Sequence, residues 1–116
     1  MTCIAVVEDD VSFRESLEGL LQAGGHDVLT YRTAEEFLDS GCLRDIDCLI
    51  TDFGLPGMNG IELLRAVHAE RADVPVIVVT ARPEPEILSR ARAAGAREVF
   101  TKPIESSALF KAIATP

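Results

Sequence analysis

Cysteines, basic residues and long apolar runs are all scarce in this 116-residue chain. The three cysteines, Cys3, Cys42 and Cys48, form no CxxC pair and no disulfide framework, which excludes a small scaffold stapled by disulfides. Cys3 and Cys48 lie in strand-like runs and read as small core residues. An odd cysteine count without a signal peptide predicts a reducing compartment, the cytoplasm. The 11 basic residues face 19 acidic ones, for a net charge of −8, and that balance argues against nucleic-acid binding, because phosphate backbones demand a basic footprint. No apolar stretch approaches a membrane span, so no membrane partner is expected. There is no internal repeat, no low-complexity segment, no linker and no P-loop. His26 and His68 have no partners at ligand spacing and read as structural or solvent-facing.

What the sequence does have is a series of short apolar runs, each ending in a polar group. Cys48-Leu49-Ile50-Thr51 ends in Asp52 and is closed at once by Gly54 and Pro56, so it reads as a buried strand delivering a carboxylate to a loop. Ile4-Ala5-Val6-Val7 ends in Glu8-Asp9, Val76-Ile77-Val78-Val79 in Thr80, and Val99-Phe100-Thr101 in Lys102. In parallel neighbouring strands, the acid pair, the central aspartate, the hydroxyl and the amine would converge at one sheet edge. In open α/β sheets that is where ligands bind.

Helical patterns separate these runs. Ser12-x-x-Glu15 predicts a capping box opening helix 1, with Phe13, Leu17, Leu20 and Leu21 on its apolar face and Gly24-Gly25 as its stop. Strand 2, about Asp27 to Tyr31, alternates weakly and reads as an edge. Thr33-x-x-Glu36 predicts a second capping box, for a short helix 2 that ends near Gly41. Helix 3 is expected after Asn59-Gly60, with Ile61, Leu64 and Val67 inward. Pro75 opens strand 4. Pro83 and Pro85 fit the first turn of helix 4, where proline is tolerated, and Ile87, Leu88 and Ala91 form its core face. Helix 5 runs from about Ser106, with Leu109, Ala112 and Ile113 inward. Strict alternation with fully apolar inner strands predicts one α/β domain over residues 1–116. It is a doubly wound, flavodoxin-like parallel sheet of five strands, order 2-1-3-4-5, with helices on both faces and a switch point between strands 1 and 3.

The motifs Val7-Glu8-Asp9-Asp10, Thr51-Asp52, Leu55-Pro56-Gly57-Met58-Asn59-Gly60, Val79-Thr80-Ala81, Ala94-Gly95-Ala96 and Lys102-Pro103 follow one another at the ends of successive elements. Over its whole length the chain resembles the receiver domain of bacterial two-component response regulators, and its early elements look most like receivers that precede a helix-turn-helix output. The resemblance implies a phosphoacceptor protein, not an enzyme, which assists only its own phosphotransfer and dephosphorylation. By that likeness Asp52 accepts a phosphoryl group from a sensor histidine kinase. Asp9 ligates Mg²⁺ (or Mn²⁺), Glu8 helps through water, and Thr80 and Lys102 contact the phosphoryl oxygens. It further implies a cis bond at Lys102-Pro103, control of transcription, and a possible homodimer through the helix 4–strand 5–helix 5 face. The alternative is a stand-alone receiver, or a pseudo-receiver acting only by protein–protein interaction.

The chemistry agrees with those residue types. An anion must approach the Asp52 carboxylate, and a divalent cation bridging both lowers that barrier. Mg²⁺ keeps several waters, so Asp9, Asp52 and the backbone carbonyl of Gly54 suffice beside Glu8. Asp10 reads as a solvated loop residue or helix cap. Arg90 and Arg92 read as a solvated helix face. Asp52-Phe53-Gly54 also spells the metal-binding triplet of protein kinases, but the other kinase motifs are missing. Haloacid-dehalogenase phosphatases want a second aspartate where Gly54 stands. The chain departs from the family pattern at Val99, where an aromatic switch residue is usual, and Phe100 should point to the opposite face. Gly54 and Arg82 occupy positions that flank the phosphoryl group, and helix 5 is short. Thr80, Val99 and Arg82 are therefore the expected switch residues, with Arg82 relaying what Val99 cannot.

Overall fold

Five strands and five helices alternate strictly along the chain: β1 (Cys3–Val7), α1 (Val11–Ala23), β2 (Asp27–Tyr31), α2 (Ala34–Ser40), β3 (Cys48–Asp52), α3 (Gly60–Glu70), β4 (Val76–Thr80), α4 (Pro85–Ala93), β5 (Glu98–Thr101) and α5 (Ser106–Ala114). The computed structural model describes residues 2–82 and 84–114, so the expectation for Pro83 lies outside the described residues. All strand pairs are parallel and the order is β2-β1-β3-β4-β5, as the alternation predicts. No helix among the described residues is long and apolar enough to cross a membrane.

The inner strands β3 and β4 are buried at every residue, because helices cover both faces of the sheet. Successive residues of a strand face opposite sides. Ala5, Val7, Leu49, Val76, Val78 and Val99 accordingly pack with α2, α3 and α4, while Ile4, Val6, Cys48, Ile50, Ile77 and Val79 pack with Leu17 and Leu21 of α1 and Leu109 of α5. Phe100 joins this second layer, opposite Val99. β2 is an edge strand, with Leu29 exposed.

The helix starts bring two corrections. The predicted Ser12–Glu15 box does not form. Asp10 is the N-cap of α1, its carboxylate accepting from the Phe13 amide at 3.1 Å, so Ser12 already lies inside the helix. An aspartate side chain two residues nearer the strand reaches the free amides first. At α2, Thr33 accepts from the Glu36 amide at 3.0 Å, but Glu36 reaches past it to the Arg32 amide at 3.4 Å, leaving the box unclosed. The complete box belongs to α3, between Asn59 and Glu62. A 3-10 turn at Cys42–Asp45 was not expected. Carbonyls in the turn and just after it are held from outside: Arg71, at the end of α3, donates from Nη1 to Leu43 O at 3.0 Å and to Ile46 O at 2.8 Å. A contact across 28 residues leaves no local signature.

The cysteines and histidines follow their expected roles. Cys48 is buried, and burial pushes its thiol up to about 12, while Cys3 is half-buried. His68 bonds through Nε2 to the Val74 carbonyl at 2.8 Å, and His26 stacks on Phe110.

Candidate functional site

The strand parity that sorts the core also sorts the polar ends. Glu8 continues the Ile4–Val6 side of β1, Asp52 the Cys48–Ile50 side of β3, and Lys102 the Phe100 side of β5. All three therefore emerge toward α1 and α5. The register sets Val7 beside Thr51, which brings Glu8 level with Asp52. Lys102 reaches in from two strands away, its amide tied to the Thr80 carbonyl at 2.8 Å.

The result is a compact charge cluster. Carboxylate oxygens of Glu8, Asp9 and Asp52 lie within 4.8 Å of one another. Lys102 Nζ stands 2.7 Å from Glu8 Oε1 and 3.4 Å from Asp52 Oδ1, with its side chain only 19% exposed. Glu8 is 2% exposed and Asp52 8%, whereas Asp9 is exposed. Burial pushes the Glu8 carboxyl above the ordinary carboxylate range; the Lys102 contact and the Asp10 amide at 3.1 Å pull the other way without cancelling it. Asp52 is raised for the same reason, with Lys102 opposing and the Asp9 charge adding. Burial would lower the Lys102 amine, but Glu8 and Asp52 together hold it above its usual value.

The donor set suits a divalent cation. Glu8 Oε1 is buried and accepts no well-aligned hydrogen bond, so charge pairing with Lys102 is its compensation. One ammonium faces three carboxylates, and a hard oxygen-seeking cation supplies the charge that is missing. Glu8, Asp9 and Asp52 are the residues placed to hold it, and Gly54 lies close enough for its backbone to hydrogen-bond the Asp52 carboxylate.

Beside the carboxylates opens a cleft of about 410 Å³ lined by Asp52, Phe53, Gly54, Leu55, Thr80, Ala81, Arg82 and Lys102. Thr80 and Arg82 are thus brought to Asp52, as expected. Thr80 Oγ1 accepts from the Arg82 amide at 2.9 Å and donates to the Arg82 carbonyl at 3.2 Å, closing the first turn of the β4–α4 loop. Val99 does not reach the cleft; it is buried in the α3–α4 core layer. Asp10 is a cap, and Arg90 and Arg92 are exposed, with Arg92 pairing loosely to Glu98 at 3.8 Å. The Lys102–Pro103 bond is cis.

Three residues that shape the site escaped the sequence reading. Arg14 donates to the Glu8 carbonyl at 2.9 Å. The Phe13 ring lies under the Lys102 ammonium, 4.3 Å from its centroid. Gly60 leaves room for the Asp52 carbonyl, which an added Cβ would meet at 2.4 Å. Only Gly60 had a signal, its place beside the Asn59 cap.

The sequence profile of the response regulator receiver domain matches residues 4–114. The transcriptional regulatory protein FixJ of Azorhizobium caulinodans is 36% identical over 110 residues, which cover 95% of this chain and 52% of FixJ. The cell cycle transcriptional regulator CtrA of Caulobacter vibrioides is 28% identical over 110 residues, 95% of this chain and 48% of CtrA. The chain thus spans about half the length of these two relatives. Among solved structures, a response regulator receiver domain protein from Clostridium thermocellum superposes with a TM-score of 0.89 at 28% identity, covering 97% of this chain and 91% of that one. By sequence and by fold, the chain belongs to the response regulator receiver domain family, a class of phosphoacceptor signalling domains.

Proposed function

We propose that residues 1–116 act as one receiver domain in which Asp52 accepts a phosphoryl group from a phosphohistidine on a sensor kinase. The observation that carries this reading is the Glu8–Asp9–Asp52 cluster, with Lys102 at 3.4 Å from Asp52 and an open cleft beside it. An Asp52 carboxylate oxygen attacks phosphorus. The new P–O bond forms as the P–N bond breaks, and the imidazole nitrogen leaves with the electron pair and is protonated from solvent. Thr80 and Lys102 donate hydrogen bonds to the phosphoryl oxygens, the lysine as a compact positive charge. Glu8, Asp9, Asp52 and the Gly54 carbonyl hold Mg²⁺ or Mn²⁺. When bound, the cation neutralises charge that builds up on the transferred group.

The regulators FixJ and CtrA among the relatives support a role in transcription control, and the reading carries with it a cytoplasmic setting and self-association through the α4–β5–α5 face. Incubation with acetyl phosphate and Mg²⁺ is expected to add one phosphoryl group by intact mass, and chelation of the metal should stop the addition. A chain that stays unmodified under both conditions would instead be a binding-only pseudo-receiver.

The switch follows from the hydroxyl of Thr80. To donate to a phosphoryl oxygen it must release the Arg82 carbonyl, which loosens the β4–α4 loop. Val99 is buried, short and restricted at χ1, so it has no ring to swing into vacated space. Arg82, exposed at the rim of the cleft, is the residue able to pair with the added charge and bias the loop. Beryllofluoride, a phosphoryl mimic, is expected to shift amide resonances along α4 in wild type. Arg82→Ala should lose most of that response and Val99→Ala should keep it; the opposite pattern would assign the relay to Val99.

A further inference from the structure

We propose that Phe13 is a positioning residue for Lys102: its ring face holds the ammonium over Asp52. This rests on the reading of Lys102 as a phosphoryl contact. Three attractions meet at Nζ: Glu8 Oε1 at 2.7 Å, Asp52 Oδ1 at 3.4 Å and the Phe13 ring at 4.3 Å from centroid. The two carboxylates alone would draw the amine toward the nearer, more deeply buried Glu8. A ring face attracts a cation through its quadrupole and excludes water from that side, and the attraction strengthens as the site dries.

The ring is itself fixed. The Phe13 amide is pinned by the Asp10 carboxylate at 3.1 Å, and the next residue, Arg14, grips the Glu8 carbonyl at 2.9 Å. The aromatic body packs against the core layer that contains Leu17 and, with Leu20, Pro103 and Ile104, lines an apolar groove at the junction of α1 with the segment that follows Lys102. The β1–α1 connection and the first turn of α1 therefore carry a metal-side acid, a helix cap and a cation-holding ring within six residues, Glu8 to Phe13. An aliphatic side chain of similar volume could shield the lysine stem but would offer the ammonium no quadrupole.

The chain has only two lysines, Lys102 and Lys111, so lysine-selective ¹³C labelling reports on Lys102 directly. In wild type, the Lys102 ε-methylene protons are expected to be shifted upfield by the ring current. Phe13→Leu should abolish that shift and slow phosphoryl uptake from acetyl phosphate about threefold to tenfold, the range expected for a partly desolvated cation–π contact. Phe13→Tyr, which keeps the ring, should restore both. An Lys102 signal and an uptake rate unchanged in Phe13→Leu would overturn the proposal. So would a Tyr variant as slow as the Leu variant with the ring-current shift intact. If wild type takes up no phosphoryl group, the underlying reading of the site fails, whereas the Lys102 signal still decides whether the ring holds the amine.

Discussion

Asp52→Asn is expected to abolish phosphoryl uptake from acetyl phosphate entirely while leaving the fold intact. The amide has the shape of the carboxylate but no negative oxygen to attack phosphorus, and no other acid in the cluster has the same setting. Asp9 is exposed, and Glu8 Oε1 is shut in against Lys102. Uptake that persisted in this variant by intact mass would move the acceptor elsewhere. The same substitution carries a stability signature. Folding raises the Asp52 carboxyl, chiefly through burial, so the native state binds its proton more tightly than the unfolded chain does. The ionised form is therefore a net cost to folding. That cost is absent below the unfolded aspartate value and grows as pH climbs through the raised folded value, where it levels off. In metal-free buffer above that range, Asp52→Asn should melt at a higher temperature than wild type. Adding Mg²⁺ should stabilise wild type more than the variant, because the variant has lost one of the ligands that favour the folded, metal-bound state.

Gly60→Ala is the second large effect, and it acts through the backbone. A Cβ at residue 60 would stand 2.4 Å from the Asp52 carbonyl oxygen, 3.0 Å from the Phe53 Cα and 3.1 Å from the Asp52 carbonyl carbon. None of these atoms can rotate away, and the Gly60 amide is bonded to the Phe53 carbonyl at 3.0 Å. Either α3 shifts outward or the end of β3 moves, and Asp52 moves with it. Overpacking of this kind costs about 1–3 kcal/mol. A misplacement of about 1 Å at a reacting group can cost roughly a hundredfold in rate. Thermal melting and the initial rate of phosphoryl uptake should both fall, the rate more than stability alone explains. Gly19→Ala is the matched control: a Cβ there meets nothing within 4 Å, so the variant should gain about 0.5–1 kcal/mol from helix propensity and phosphorylate normally. A Gly60→Ala protein as stable and as fast as wild type would show that the β3–α3 junction is not tight.

Much of this molecule is written in its local patterns. Short, continuous apolar runs with polar ends, separated by helical patterns and glycine stops, point to five parallel strands, their order and the sheet edge at which Glu8, Asp9, Asp52, Thr80 and Lys102 assemble. The pleat fixes sidedness, so sequence parity alone sends Glu8, Asp52 and Lys102 toward one helical layer and Val99 toward the other. What the pattern could not supply were contacts whose partners are remote in sequence or compete at close range. Asp10 displaced the predicted Ser12 cap because it reached the open amides first. The 3-10 turn at Cys42–Asp45 depends on the Arg71 guanidinium, which only the packing of α3 delivers. Phe13 looked like one more residue of an apolar helix face, and Gly60 like an ordinary helix start. The ring acquired a cation, and the glycine a carbonyl pressed against it, only when α1 and α3 closed on the ends of β5 and β3. Hydrophobic periodicity chooses which face of an element is buried; which atom a buried group finally meets is decided by the packing of elements that are distant in the chain.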